Sequence, residues 1–329
     1  MNKILNASIL LFMVSVLMSL SCTLPQPTDT VEKDEESGGI YAQKVISRPD
    51  LQPLVESETN AHGVKAILAT NDIGIGTNRI SFLLTSPRGF VTLPVVTVAP
   101  ASVSETGTQA SDMAPIIATF QPWPYGKRGL YVATVNFDNP GSWILNVSLA
   151  QDNQTSMVSI PVGVRTRTQA PMNGDVAIKS NNRTLASVQD IEELTTGSLH
   201  DPDLYQISIA DAILRGRPAV VVFASPAFCL NAVCGPQVEV VQKLKATFGN
   251  VVDFIHVDFY DNPREIQGDL ARAIISPTVR EWGLPSSEWT FMIDQYGRVF
   301  KRFEGFANYS ELAQELASML SINVSVSPQ

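Results

Sequence analysis

The chain has 329 residues, of which 44% are hydrophobic, and it carries a net charge of -9 at pH 7. This length accommodates two domains, and the hydrophobic fraction is ordinary for a globular protein. The acidic balance and the lack of a basic cluster argue against a nucleic acid as a partner. Because the chain has only three cysteines, any thiol chemistry depends on very few residues.

The N-terminus has the pattern of an export signal. Lys3 precedes an apolar run over residues 9–18, which is too short for a membrane-spanning helix and fits the central region of a signal peptide. The run ends in Ser19-Leu20-Ser21-Cys22, which resembles the bacterial lipoprotein signal, although Ser19 stands where that pattern has an aliphatic residue. The resemblance implies that residues 1–21 are a signal peptide and that Cys22 is the lipidation site. An uncleaved membrane anchor and a conventional cleavage site are the alternatives.

Residues 22–50 are polar and acidic and contain few apolar side chains. This composition predicts a disordered tether between a membrane and the folded part of the protein. The predicted location is the outer face of a bacterial cytoplasmic membrane, with lipid anchoring, or the periplasm. In such an oxidising compartment Cys229 and Cys234 are the only remaining pair, and we expect them to be oxidised at rest.

Residues 51–168 contain short alternating runs separated by turn residues, which predict an all-β immunoglobulin-like sandwich. The clearest predicted strands are residues 79–84, 92–98, 129–135 and 141–147. The stretch 129–143 is similar to exported sandwich modules of the YtkA-like and FixH-like kind, which are discussed beside copper handling. Because His62, Met113 and Met157 are far apart in sequence, a structural or docking role is favoured over copper binding.

Residues 169–199 are rich in Asn, Ser, Thr and Gly and are predicted to form a linker, followed by a second domain over residues 200–322 and a tail over 323–329. Strand and helix patterns alternate in this domain, which predicts an α/β fold with a mainly parallel sheet and an antiparallel hairpin at its edge. Asn308 and Glu311 form a predicted capping box for the last helix. Pro277 should break the helical stretch between residues 264 and 282. The predicted strands are residues 219–224, 251–258, 289–293 and 298–303.

Residues 225–236 hold two of the three cysteines between a predicted buried strand and a predicted helix. Cys234 lies just before the helix, where unpaired backbone N–H groups and the helix dipole favour a thiolate. Two residues five apart in one helix are separated by about 7.5 Å of axial rise, too far for a disulfide. Cys229 is therefore predicted to lie on a loop, so that the pair can close and open a disulfide. A static disulfide and two packed thiols are the alternatives.

The segment 223–244 resembles the active-site unit of the thioredoxin family, in which Trp-Cys-Gly-Pro-Cys follows a strand and opens a helix. The resemblance covers roughly residues 201–320 and implies a thioredoxin-like fold. Counting from Phe223 places Cys229 near the family's nucleophile. Counting back from the helix aligns Cys234-Gly235-Pro236 with it, and Gln237 then replaces the resolving cysteine.

Two positions depart from the thioredoxin pattern. Val222 stands where the family buries an acidic residue beside its cysteines. The family's cis-proline immediately precedes a strand, whereas here Glu288 precedes Trp289 and Pro285 lies four residues before it; a turn proline is the alternative for Pro285. The residues predicted to contact substrate are Pro226, Phe228, Pro236, Pro285 and Glu288.

Three functions remain, in this order. The first is an exported, membrane-anchored thiol–disulfide oxidoreductase with Cys229 and Cys234 as its catalytic residues, protein thiols or disulfides as its partners and no cofactor. The second is a Sco-like metallochaperone that holds Cu(I) between the two thiolates, although Sco-type proteins use a closer pair and a distal histidine. We expect His200 to be exposed and His256 to be packed. The third is a non-catalytic interaction protein with a structural disulfide.

Overall fold

The computed structural model describes residues 55–104, 106–110, 113–124, 126–151, 154–198, 200–228 and 234–322. The predicted signal peptide, tether and C-terminal tail lie outside these residues, as do Cys22 and Cys229. The described part of the chain holds one sheet of ten strands and one of four. None of its helices combines the length and the apolar character that a membrane crossing requires.

The β half, residues 55–168, contains the ten-stranded sheet. Its strands are β1 (Val55–Glu56), β2 (Lys65–Leu68), β3 (Gly76–Ser86), β4 (Gly89–Phe90), β5 (Val95–Val103), β6 (Gln109–Ala110), β7 (Ile116–Pro122), β8 (Gly129–Phe137), β9 (Gly141–Gln151) and β10 (Gln154–Val164). They pair antiparallel in the order β1-β2-β3-β8-β7-β5-β9-β10, with β4 beside β3 and β6 beside β5. Strand β10 also contacts β1 and β2, so the sheet nearly closes on itself.

Alternating burial explains why these residues form strands. In β8 the side chains of Tyr131, Ala133, Val135 and Phe137 are buried, whereas Thr134 and Asn136 are exposed. The buried rings stack in the interior, with 5.6 Å between the ring centroids of Phe82 and Tyr131. The predicted all-β first half is therefore present. Its strands follow one hydrogen-bonded path, and the immunoglobulin-like arrangement in two sheets stays a prediction.

The α/β half, residues 169–322, contains the four-stranded sheet. Its strands are β11 (Ala219–Ala224), β12 (Asp253–Asp258), β13 (Trp289–Ile293) and β14 (Val299–Glu304), and its helices are α1 (Ile209–Leu214), α2 (Cys234–Phe248), α3 (Pro263–Ile266), α4 (Pro277–Glu281) and α5 (Tyr309–Met319). The order is β12-β11-β13-β14, with β11 parallel to β12 and β13 antiparallel to both of its neighbours. The predicted antiparallel hairpin at the edge of the sheet is present, whereas the prediction of a mainly parallel sheet is wrong, since only the β11–β12 pairing is parallel.

Proline and capping residues set the helix boundaries. The stretch predicted to break at Pro277 forms the separate helices α3 and α4, and each begins at a proline. The side chain of Asn308 accepts a 2.9 Å hydrogen bond from the backbone N–H of Glu311 at the start of α5, as its pattern predicts. Strand β5 begins at Val95, three residues after the start predicted for it.

The segment between the two sheets packs along the α/β half. Ala170 and Ala177 are buried in the core layer that contains Phe291 and Trp282, and Leu194 is buried in the layer that contains α2 and α5. The indole N–H of Trp282 donates a 3.1 Å hydrogen bond to Ser180 Oγ. Residues 169–199, which their polar composition predicts to be a linker, thus supply part of the core.

Candidate functional site

Cys234 is the first residue of α2 and is fully buried. Residues 225–233 connect β11 to Cys234, and of these the structure describes residues 225–228, here called the cysteine loop. Cys234 is disulfide-bonded, and the two other cysteines of the chain are Cys22 and Cys229. The oxidised state expected at rest is therefore present at Cys234. Because this residue is inaccessible to solvent, its sulfur cannot make the first contact with a large substrate.

The segment that enters β13 forms the wall beside Cys234. The Sγ atom of Cys234 lies 4.0 Å from the carbonyl oxygen of Ser287. An oxidised sulfur has no hydrogen to donate, so this is a van der Waals contact. Glu288 follows and is 2% exposed.

Gln237 lies one helical turn after Cys234 and is also fully buried. Its Oε1 atom accepts a 2.9 Å hydrogen bond from the backbone N–H of Ala307, which precedes α5. This is the residue that one alignment with the thioredoxin family puts in place of the resolving cysteine. Here it joins the start of α2 to the segment that leads into α5.

A hydrogen-bond network holds the described limb of the cysteine loop, residues 225–228. Asp258, at the carboxyl end of β12, accepts hydrogen bonds at Oδ2 from the backbone N–H (2.7 Å) and the hydroxyl (2.9 Å) of Thr196. The Thr196 hydroxyl lies 2.9 Å from Ser225 Oγ and accepts a 3.2 Å hydrogen bond from the N–H of Ala227. Burial raises the pKa of Asp258 to about 6, against the opposing effect of these hydrogen bonds.

The two histidines of the α/β half are engaged elsewhere. The Nε2 atom of His256 lies 3.0 Å from the Ala224 carbonyl oxygen and must donate to it, so Nδ1 accepts from the Tyr205 hydroxyl at 2.6 Å. Burial lowers the pKa of His256 to about 4, which keeps the ring neutral. His200 is exposed. Both expectations for the histidines are confirmed, and among the described residues no group of three or more His, Cys, Asp or Glu side chains could hold a metal ion.

The residues predicted to contact substrate lie in different surroundings. Pro226 is half-buried and lines a cavity of about 260 Å³ together with Gly235 and residues 195–198. The half-buried ring of Phe228 packs 6.5 Å from the ring of Tyr260. Pro236 is half-buried in the first turn of α2, and Pro285 and Glu288 are buried near Ser287. No cis peptide bond occurs in the described part of the chain.

The sequence patterns did not predict that Thr196 and Asp258 belong to the site. Thr196 lies in a polar stretch that predicts a linker, and Asp258 is the last residue of a predicted strand. One signal for Asp258 was available: in a parallel sheet, functional side chains gather at the carboxyl ends of the strands. Asp258 pairs with Ala224, the last residue of β11, and therefore ends beside the cysteine loop.

Part of this chain is similar in structure to solved thiol:disulfide interchange proteins. No protein-family model matches the chain, and no curated protein matches it. A solved structure from Chlorobium tepidum, assigned as a thiol:disulfide interchange protein DsbE, is 15% identical with a TM-score of 0.34, and covers 46% of this chain and 99% of its own. A thiol:disulfide interchange protein of the thioredoxin family from Chlorobium tepidum TLS is 13% identical with a TM-score of 0.32, at the same coverage. These values assign neither a fold nor an activity to this chain.

Proposed function

We propose that this protein is a thiol–disulfide oxidoreductase in which Cys229 and Cys234 form the redox-active disulfide. The observation that carries the proposal is the state of Cys234: it is disulfide-bonded, and it begins the helix that follows the buried strand β11. Cys229 is five residues away, whereas Cys22 is separated from Cys234 by the whole β half. A short loop between a strand and a helix start is a setting in which reactive thiols occur.

The burial of Cys234 divides the roles of the two cysteines. A sulfur without solvent exposure suits the resolving step, which takes place inside the protein. Cys229 is then the nucleophile, in agreement with the alignment that counts from Phe223. The helix dipole at the start of α2 stabilises negative charge on the Cys234 sulfur when the disulfide opens.

In the reductive direction, the Cys229 thiolate attacks one sulfur of a substrate disulfide, which forms a mixed disulfide and releases one substrate thiolate. The Cys234 thiol then loses its proton, and its sulfur attacks the Cys229 sulfur. This step releases the second substrate thiolate and closes the Cys229–Cys234 disulfide. Two protein thiols are oxidised, one substrate disulfide is reduced, and the two protons end on the substrate thiols. The reverse sequence oxidises substrate thiols.

The remaining parts of the proposal concern fold and location. We interpret the α/β half as a thioredoxin-like domain, because its four strands and flanking helices supply the strand–loop–helix unit around Cys234. We interpret the β half as an immunoglobulin-like module with a docking or structural role. The N-terminal sequence supports export and anchoring through lipid on Cys22, so that protein partners outside the cytoplasm are the proposed substrates.

The experiment compares the full-length protein with Cys229→Ser and Cys234→Ser in the reduction of insulin by dithiothreitol. The wild-type protein should accelerate the reaction, and both variants should lose turnover. In a separate reaction from which dithiothreitol has been removed, pre-reduced Cys234→Ser should accumulate a mixed disulfide with insulin, visible on a non-reducing gel, because Cys229 still attacks but no second thiol resolves the product. Cys229→Ser should accumulate none.

Two other results would replace the proposal. An inert wild-type protein whose thermal midpoint drops on reduction would have a structural disulfide. An inert protein that binds one Cu(I) per chain, and loses it in either cysteine variant, would be a metallochaperone.

A further inference from the structure

We propose that Asp258, acting through the Thr196 hydroxyl, is a positioning residue for the cysteine loop. This inference deepens the proposed function and rests on it for its catalytic consequence. Asp258 does not contact a described sulfur atom. It acts on the limb that leads to Cys229, which follows Phe228 directly.

The Thr196 side chain is the centre of the arrangement. A threonine hydroxyl has one hydrogen to donate and two lone pairs to accept with. With Asp258 ionised, Thr196 Oγ1 donates to Asp258 Oδ2 at 2.9 Å and accepts from the N–H of Ala227 at 3.2 Å. The hydroxyl of Ser225 lies 2.9 Å from Thr196 Oγ1 and also hydrogen-bonds to Asp258.

Protonation of Asp258 would reverse this chain of hydrogen bonds. A neutral carboxyl group can donate a hydrogen, and Thr196 Oγ1 would then accept it and donate to Ser225 instead. The Thr196 N–H to Asp258 bond of 2.7 Å would weaken, since hydrogen bonds to an ionised acceptor are the stronger kind. The charge on Asp258 thus determines how firmly the limb is held.

Packing supports the same assignment. Ser225 is fully buried, so its backbone cannot move without disturbing the sheet. A Cβ atom on Gly197 would lie 3.2 Å from Pro226 Cγ and 3.3 Å from Pro226 Cβ. The segment around Thr196 therefore lies directly against the limb.

The surroundings of Asp258 set the pH range. Burial raises its pKa to about 6, within the range in which thiol exchange can be measured. Tyr205, the last residue of a 3₁₀ helix over Pro202–Tyr205, interacts electrostatically with Asp258, and His256 lies two residues before Asp258 on β12. Tyr260 donates its N–H to Asp258 Oδ1 at 3.0 Å. A cavity of about 270 Å³ adjoins it, and the charged residues lining that cavity are Lys179, Arg183, Glu193, Asp261 and Glu281.

The test measures the rate at which the reduced full-length protein reacts with oxidised glutathione between pH 5 and 9. Thr196→Val removes the hydroxyl at nearly constant volume, and Thr196→Ser restores it. We expect the valine variant to react about tenfold more slowly and the serine variant to react at the wild-type rate. The wild-type profile should have an inflection near pH 6 that is absent in Asp258→Asn. Glu304→Gln, which changes a buried carboxyl outside this network, should keep it.

Two results would overturn the inference: equal rates for Thr196→Val and Thr196→Ser, or an inflection that persists in Asp258→Asn. A second measurement does not depend on catalysis. Amide hydrogen exchange at Ala227 in the oxidised protein should be faster in Thr196→Val and Asp258→Asn than in Glu304→Gln. If the wild-type protein shows no thiol exchange, the proposed function fails and this measurement still decides whether Asp258 positions the limb.

Discussion

Arg302 of β14 donates a 3.0 Å hydrogen bond from Nη1 to Oδ2 of Asp72, which follows β2 in the β half. The Asp72 carboxylate is fully buried and also accepts the backbone N–H groups of Gln169 (2.8 Å) and Ala170 (3.0 Å). Arg165 approaches its Oδ1 atom at 3.2 Å. One carboxylate thus joins the β half, the segment that leaves it and the second sheet.

Asp72→Ala should destabilise the protein by about 3–5 kcal/mol, because it leaves the largely buried Arg302 guanidinium without its partner. The measurement is the free energy of unfolding from urea denaturation. The control is Arg167→Ala, which removes an ion pair with Asp175 whose arginine side chain is 77% exposed. Arg167→Ala should change the free energy of unfolding by no more than about 0.5 kcal/mol. Equal losses in the two variants would contradict this assignment.

Glu304 forms the second buried connection between the two sheets. Its Oε2 accepts the N–H groups of Asn71 (3.0 Å) and Asp72 (2.9 Å), and its Oε1 accepts the hydroxyl of Ser286 (2.8 Å). Burial raises the pKa of Glu304 from 4.5 to about 7. The folded state therefore binds more protons than the unfolded state between these values, so the contribution of Glu304 to stability falls as the pH rises through this window.

Glu304→Gln removes this titration. The glutamine amide can still form hydrogen bonds with the backbone N–H groups of Asn71 and Asp72 and with the hydroxyl of Ser286. Between pH 4.5 and 7 the wild-type protein should lose about 3 kcal/mol of stability relative to Glu304→Gln. The check is urea denaturation of both proteins at several pH values. A difference between them that does not change with pH would show that Glu304 is ionised in the folded protein throughout.

Gly283 approaches the segment that links the two sheets. Its φ is +61°, and a Cβ atom there would lie 2.7 Å from the Gln169 carbonyl oxygen. Gly268 has a φ of +82° with nothing within 4 Å of a Cβ atom. Alanine at either position should cost about 1–2 kcal/mol from the left-handed backbone alone.

Gly283→Ala should lose a further 1–3 kcal/mol, roughly the cost of overpacking a filled site. Thermal or urea denaturation of the two alanine variants gives the difference directly. Equal destabilisation would mean that the chain at Gln169 moves aside freely.

Local patterns predicted most of the elements. The hairpin of β13 and β14 was readable because its strands are adjacent in sequence and Gly297, with a φ of +75°, completes the turn. The Asn308 cap was readable for the same reason. For its partner Glu311 the sequence predicted the backbone contact but not the side-chain contact. The Glu311 carboxylate forms a bidentate pair with Arg79 of β3, at 2.7 and 2.9 Å. A pairing across 232 residues leaves no periodic trace in the chain.

The sequence by itself determined the kinds of local structure, the position of the cysteine pair between a strand and a helix, and the acidic, polar N-terminal stretch. These properties depend on residues close together in the chain, through side-chain alternation, capping and turn geometry. Only the tertiary structure decided that Cys234 is buried, that Thr196 binds Asp258, and that Asp72 and Glu304 join the two sheets. Those features depend on which distant groups meet when apolar faces pack and buried polar groups must find partners.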